Sequence, residues 1–357
     1  MELYDELPLE RDDIALVEES LRLVRDPDET MNYFYASLFV QSPELRDLFP
    51  VAMDAQRDRF FRALTGAMRR LRAEDGFKPM LEQLGRNHRK YGVRAEHYGV
   101  FGRALLAALR HSLESFWVPE LEAAWFRTYN YMAQTMIDAA QQAATREPAW
   151  WRGEIIAHER RAHDIAVITV RTDRPYHYEP GQFANIETPY RPRTWRPYSM
   201  ATAPNPSGLL EFHVRAVGAG WVSGPLVWRA ATGDVLKITA PMGDLAVDQQ
   251  SGRDILMVAG GTGLAPIKAI VEDMARWNTS RRVHVFFGVR RAGDLYDIGA
   301  MYRLAAPHSW LTIIPAVSDE PEFTGERGLL PDVIARWGDW RDHDVIVCGS
   351  PEMSRAT

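Results

Sequence analysis

The apolar residues of this chain change their spacing twice, and each spacing permits only one kind of secondary structure. Over residues 13–145 they recur every three or four positions. Met31, Phe34, Tyr35, Leu38 and Phe39 share one helical face; Phe60, Leu64 and Met68 share another; Phe77, Leu81, Leu84 and His88 a third. Tyr98, Phe101, Leu105 and Leu109, then Leu121, Trp125, Met132 and Met136, extend the pattern. Ser42-Pro43 and Val118-Pro119 read as helix starts, because proline is tolerated in a first turn. Six or so helices joined by short connections predict an all-α domain over residues 1–147. Beyond a linker at residues 146–153 the period drops to two. Leu210, Phe212, Val214 and Ala216 alternate with Glu211, His213 and Arg215, and Gly and Pro punctuate the stretch. That rhythm predicts a small antiparallel β-barrel over residues 148–250. Residues 251–357 carry short, nearly continuous apolar runs at 255–259 and 283–287, separated by a helix-like stretch at 266–277. Buried parallel strands with crossover helices read this way, so the third domain is expected to be α/β.

A length of 357 residues accommodates three such domains. The net charge of -6, with basic residues dispersed among acids, argues against a nucleic-acid surface. One cysteine cannot form an internal disulfide, which points to a reducing compartment. The acidic N-terminus, Met1-Glu-Leu-Tyr-Asp-Glu, lacks a signal-peptide pattern. No apolar run reaches the ~18 residues of a membrane span. A cytoplasmic protein without a membrane span is expected.

Three motifs carry chemistry. Arg196-Pro197-Tyr198-Ser199 offers a guanidinium for a phosphate, a phenol to stack on a ring and a hydroxyl for the reacting edge of a flavin. Pro180-Gly181-Gln182-Phe183 leads a strand upstream. Downstream, Gly218-x-Gly220-Trp221-Val222-Ser223 can cradle a pyrophosphate with backbone N–H groups. Gly260-Gly261-Thr262-Gly263 lies between a buried strand and a helix, where glycines let the backbone approach a dinucleotide. Cys348-Gly349 follows the last apolar run. Taken alone, each has a bland reading: a tight turn, a surface tetrapeptide, a small buried thiol. Their order, each beside a strand-like segment, favours a flavin site followed by a nicotinamide site. Arg290 and Arg291 could hold a 2′-phosphate or be solvated loop charges, with Asp294 nearby, so NADH and NADPH both stay open.

In the helical part, His88 occupies an apolar stripe, where a histidine is more often a packed core residue than a ligand. Tyr35, Phe49, Gln56 and Phe60 change that balance, because together they can form a closed apolar pocket with two polar groups.

Residues 153–357 resemble the ferredoxin-reductase-like flavoproteins, an FAD barrel followed by an NAD(P) domain. The stretch Tyr33-Phe-Tyr35-x-x-Leu-Phe39-x-x-x-Pro43-Glu44-Leu45-x-x-Leu48-Phe49 resembles a globin. In this order the two resemble the flavohaemoglobins. The resemblance implies haem b, FAD and NAD(P)H as cofactors, and O2 and nitric oxide as substrates. It implies that His88 is the iron ligand, that Phe49 packs on the haem, and that Tyr35, Gln56 and Phe60 form the distal wall, with Tyr98 behind the histidine. It assigns FAD to Gln182, Arg196, Pro197, Tyr198, Ser199, Gly218, Gly220, Val222 and Ser223. It assigns the nicotinamide dinucleotide to Gly260, Gly261, Thr262, Gly263, Cys348 and Gly349.

Two departures from the family pattern bear on function. The glutamate that the family places behind the proximal histidine aligns with Ala140, followed by Gln141 and Gln142. The family also continues through a further helix and strand beyond the equivalent of Thr357, so the third domain is expected to be C-terminally truncated. The implied activity is oxidation of nitric oxide to nitrate. The alternative is a reductase whose haem serves as sensor or electron store, with another donor or acceptor.

Overall fold

The computed structural model describes residues 11–50, 53–72, 76–218 and 220–357. Two compact units divide between Ala149 and Trp150. The first is helical: α1 (Arg11–Leu23), α2 (Pro27–Gln41), a 3-10 turn at Pro43–Leu48, α3 (Asp54–Arg72), α4 (Phe77–His88), α5 (Ala95–Leu113) and α6 (Pro119–Ala144). Sequence signals set the boundaries. Asp26 caps α2 by accepting from the Glu29 N–H at 2.9 Å, with Pro27 in the first turn. Pro119 opens α6, whereas Pro43 opens only the 3-10 turn. Phe34, Leu38, Leu81, Leu109 and Trp125 form a fully buried centre.

One close approach fixes the position of α4. A Cβ on Gly85 would stand 2.2 Å from the Met136 carbonyl oxygen, so glycine alone lets α4 reach α6 there. Phe77 stacks on Tyr131 at 6.3 Å further up the same pair. Both contacts run in the same direction along the helices, which brings the last turn of α4 alongside the turn of α6 that contains Ala140.

The second unit opens with a six-stranded antiparallel sheet built from β1 (Trp151–Ala162), β2 (Ile165–Thr172), β3 (Phe183–Glu187), β4 (Arg196–Ser199), β5 (Leu209–Arg215) and β6 (Val235–Ile238). The short helix α7 (Ser223–Trp228) precedes β6. The strand order is β4-β3-β6-β1-β2-β5. A bridge between Met200 and Phe212, continued by the Ala201 N–H on the Glu211 carbonyl at 2.7 Å, joins the two edge strands and closes the barrel.

A five-stranded parallel sheet follows: β7 (Asp254–Gly260), β8 (Val283–Val289), β9 (Leu311–Val317), β10 (Glu326–Arg327) and β11 (His343–Cys348), in the order β10-β9-β8-β7-β11. Helices α8 (Leu264–Met274), α9 (Ile298–Ala305), α10 (Leu330–Trp337) and α11 (Pro351–Ala356) complete it. Helix α8 begins two residues before Pro266, not at it. The order reverses at β7, with β8 on one side and β11 on the other, and such a switch point leaves a crevice beyond the strand ends. Among the described residues, no helix is long and apolar enough to cross a membrane.

Candidate functional site

Aromatic residues from four segments converge in the helical unit. The Tyr35 ring meets Phe49 edge-on at 5.5 Å and Phe60 at 6.4 Å. Phe34 stacks on Phe60 at 5.0 Å, and Phe49 on Phe101 at 6.0 Å. The structure therefore brings together three of the residues expected in the pocket. Gln56, half-buried, lies one turn before Phe60 on α3. The sequence places Phe34 and Phe101 on helical stripes but gives them no part among the candidate site residues.

His88 ends α4, and its Nδ1 lies 2.7 Å from the Leu84 carbonyl oxygen. A carbonyl accepts only, so Nδ1 carries the proton and Nε2 keeps its lone pair. Burial lowers the imidazole's pKa against the opposing pull of the Leu84 bond, and nearby Lys90 lowers it further. The ring is thus neutral at pH 7, the form that binds iron. A neutral imidazole whose Nε2 lone pair is available, in a unit that also carries this aromatic cluster, is a donor set that fits haem.

Tyr98 is buried on α5, and burial pushes its hydroxyl up to about 12. Its carbonyl accepts the Tyr129 hydroxyl at 2.7 Å. Ala140 is half-buried and offers no acceptor, while Gln141 and Gln142 are exposed. The described acceptor behind His88 is therefore a main-chain carbonyl.

In the barrel, β4 pairs with β3 so that Ser199 faces Phe183, Tyr198 faces Ala184 and Pro197 faces Asn185. Burial pushes the Tyr198 hydroxyl up, opposed by the adjacent Arg196 guanidinium. Arg196 is exposed and donates to the Trp195 carbonyl at 2.9 Å. The chain is tightly drawn around Gly220. Ser223 Oγ accepts the Val217 N–H at 3.2 Å, and a Cβ on Gly220 would stand 2.3 Å from that same oxygen. Val222 is buried beneath the loop. Such a glycine cradle fits a diphosphate approaching the main chain. The Gln182 side chain accepts from the Glu179 N–H at 2.9 Å and donates to the Gly243 carbonyl at 3.1 Å, so it holds its own loop in place.

The glycines after β7 are demanded by close approach. A Cβ on Gly263 would lie 2.1 Å from the Cys348 carbonyl oxygen, and one on Gly260 3.0 Å from Met353 Cε. Gly261 has a φ of +55°. Residues 260–263 and Cys348-Gly349 thus meet at the switch point, β11 lying parallel to β7 with Cys348 opposite Ala259. Burial pushes the Cys348 thiol up to about 11. Arg215, which no motif flagged, ends β5 beside this turn. Its Nη1 lies 3.3 Å from where a Gly261 Cβ would stand, and it pairs with Asp164 at 3.2 Å and Asp294 at 3.6 Å. Arg290 and Arg291 are exposed, and the Asp319 N–H on the Arg290 carbonyl adds a carboxylate to that turn.

Glu211 and His213, polar positions of the β5 alternation, are covered by the nucleotide half. Glu211, His213 and Asp297 place ligand-type atoms within 4.8 Å of one another. Lys268 on Glu211 and Arg161 on Asp297 already balance their charge, so this seam is an ion-pair network. Burial pushes Glu211 up, but hydrogen bonds from His213 and Lys268 win and hold it at about 2. Asp297, whose Oδ2 lacks a hydrogen bond, is raised by burial.

Comparison with known proteins finds three family matches along the chain. Residues 32–136 match the globin family, 152–247 the oxidoreductase FAD-binding domain and 257–357 the oxidoreductase NAD-binding domain. A flavohemoprotein of Bordetella parapertussis is 30% identical over 302 residues, covering 78% of this chain and 74% of that protein. The reductase component of the Pseudomonas putida naphthalene 1,2-dioxygenase system is 33% identical over 225 residues, 62% of this chain and 67% of its own length. The crystal structure of a flavohemoglobin from Malassezia yamatoensis, with bound FAD and heme, has the same fold. Its TM-score is 0.75 at 15% identity, over 97% of this chain and 94% of that one.

Proposed function

The chain belongs to the flavohaemoglobin family, and we propose that it oxidises nitric oxide to nitrate with dioxygen and electrons from NAD(P)H. Its globin, FAD-binding and NAD-binding domains make it an oxidoreductase with haem, FAD and a nicotinamide dinucleotide as cofactors. The proposed domain limits are 1–147, 148–250 and 251–357.

When bound, haem supplies oxygen binding, and the flavin and dinucleotide supply electrons. The protein's part is placement. His88 presents Nε2 to iron, held in that tautomer by Leu84. Tyr35 and Gln56 offer the polar groups that steady a small anionic oxygen ligand, and Phe49 and Phe60 exclude water around it. Tyr198 would stack on the flavin, Arg196 would pair with its diphosphate, and Ser199 would hydrogen-bond its reacting edge. The glycines at 260–263 admit the nicotinamide diphosphate beside Cys348. The observation that carries the proposal is the Tyr35, Phe49 and Phe60 cluster in one unit with a neutral, oriented His88.

The test follows nitric oxide with an electrode, using the full chain, NADH or NADPH, and air. Nitric oxide loss that depends on reduced dinucleotide and yields stoichiometric nitrate is expected. Loss no faster than in its absence overturns the proposal.

The carbonyl-only partner of His88 favours a second reading, in which the haem is a sensor or electron store and the flavin serves another donor or acceptor. Dinucleotide-driven reduction of ferricyanide that carbon monoxide leaves unchanged, with no dinucleotide-dependent nitric oxide loss in its absence, supports that reading.

A further inference from the structure

Helix α8 begins at the residue 260–263 turn, yet its second turn faces the barrel. Lys268, buried there, directs Nζ to three acceptors: Glu211 Oε1 at 2.7 Å, Glu272 Oε1 at 3.1 Å and the Ala201 carbonyl at 3.2 Å. An ammonium has three donors, so all are satisfied and its burial is tolerated. Glu272, one turn on, accepts the Ala203 N–H at 2.9 Å. Ala201 and Ala203 belong to the segment that leaves β4 directly after Tyr198 and Ser199. The Ala201 N–H in turn bonds the Glu211 carbonyl at 2.7 Å. Two side chains of the nucleotide-binding helix therefore grip the main chain that continues the flavin strand.

We infer that Lys268 and Glu272 are positioning residues for hydride transfer, setting the spacing between nicotinamide and flavin while touching neither. The inference rests on the proposed roles of Tyr198, Ser199 and residues 260–263. The hydride leaves C4 of the reduced nicotinamide and arrives at N5 of the flavin, so the dinucleotide is oxidised as the flavin is reduced. Near-attack geometry requires the reacting atoms about 3–3.5 Å apart, and a displacement near 1 Å costs about 100-fold. A buried ion pair adds little net stability over apolar residues of similar volume, and the geometry of this one is set by the three contacts at Nζ. Here that geometry lies between the two nucleotide sites.

The experiment compares the full chain with Lys268→Met/Glu272→Gln, which removes charge of both signs, and with Lys268→Arg, which keeps it. Haem and FAD content and the unfolding midpoint report folding. NAD+ added to the reduced protein reports ring stacking through long-wavelength charge-transfer absorption, and stopped flow gives the limiting rate of flavin reduction. The double variant is expected to keep both cofactors and bind NAD+ within about threefold of the parent. It should lose the charge-transfer band and reduce its flavin about 10- to 100-fold more slowly. Lys268→Arg should recover part of the rate. An unchanged band with a rate within about twofold of the parent overturns the inference, as does a slow rate explained wholly by lost FAD. If neither dinucleotide reduces the parent's bound flavin, the functional proposal fails and takes the inference with it.

Discussion

The helical and reductase units build their sites by opposite means. In the helical unit, side chains from α2, α3, α5 and the residue after the 3-10 turn converge in one aromatic cluster, and α4 supplies His88, oriented by the Leu84 carbonyl. In the reductase unit, contiguous loops do the shaping, and what matters most is the side chains they lack: at Gly220 and Gly263 a Cβ would strike a neighbour, and Gly261 takes a positive φ. A pocket assembled from side chains should fail through single atoms. A cradle made of backbone should fail through added bulk.

The largest effects follow from that contrast. His88→Ala should remove nearly all haem, or leave it without a protein ligand, while FAD content persists. Arg196→Ala with Tyr198→Ala should do the reverse. Soret absorbance and released flavin, measured on the same samples, check both, and a wild-type Soret band with normal ligand binding in His88→Ala would break the comparison at its root. Next come the two close approaches. Gly85→Ala places a Cβ 2.2 Å from the Met136 carbonyl, and Gly263→Ala one 2.1 Å from that of Cys348. Each should cost about 1–3 kcal/mol in its own unit. The first should loosen haem and spare the flavin; the second should weaken NADH binding at least about tenfold and spare haem. Titration of each variant with NADH and apomyoglobin-driven haem loss separate the two.

The same contrast explains what could be read from the sequence. Arg196-Pro197-Tyr198-Ser199 and residues 260–263 are contiguous, because a strand end or βα turn presents neighbouring residues to one ligand. The roles of the globin residues were legible only through resemblance, since Tyr35 and Phe60 meet by tertiary packing and His88 comes from a separate helix. Phe34 and Phe101 were hidden as ordinary core. The seam at Glu211 and His213 escaped because alternation along β5 identifies the polar face but not what covers it. His213 is buried there by Tyr296, whose hydroxyl lies 2.8 Å from Nδ1. Likewise, Gly85 carries no motif, yet it fixes where His88 stands.

That seam should make the reductase unit sensitive to acid. Glu211 is held at about 2 against an ordinary 4.5, so its stabilisation is fully present above pH 4.5 and is lost as pH falls through about 2. The contribution is on the order of 3 kcal/mol. Asp297, raised by burial, works with the opposite sign and blunts the loss. Acid titration followed by flavin fluorescence should show a shallower stability slope over this window in Glu211→Gln than in the parent. Identical slopes would remove Glu211 from the account.

The smallest expected effect tests the proximal side of the haem. His88 Nδ1 now donates to the Leu84 carbonyl, a neutral acceptor, and the α4–α6 packing brings the turn containing Ala140 alongside. A carboxylate accepts more strongly than a carbonyl and makes the imidazole a better electron donor. Ala140→Glu should therefore raise the iron–histidine stretching frequency of the ferrous protein. It should speed nitric oxide consumption by oxygenated, pre-reduced protein, by less than about tenfold, the low end for an outer partner of a metal ligand. Pre-reduction matters because it bypasses the reductase unit and confines the measurement to the helical one. The substitution must displace an existing bond, so the frequency shift is the more direct readout: a shift without a rate gain would mean that electron donation by His88 does not limit the reaction. If neither moves, the Leu84 bond has held, and the difference between this chain and relatives with the acid must be sought around Tyr35 and Gln56.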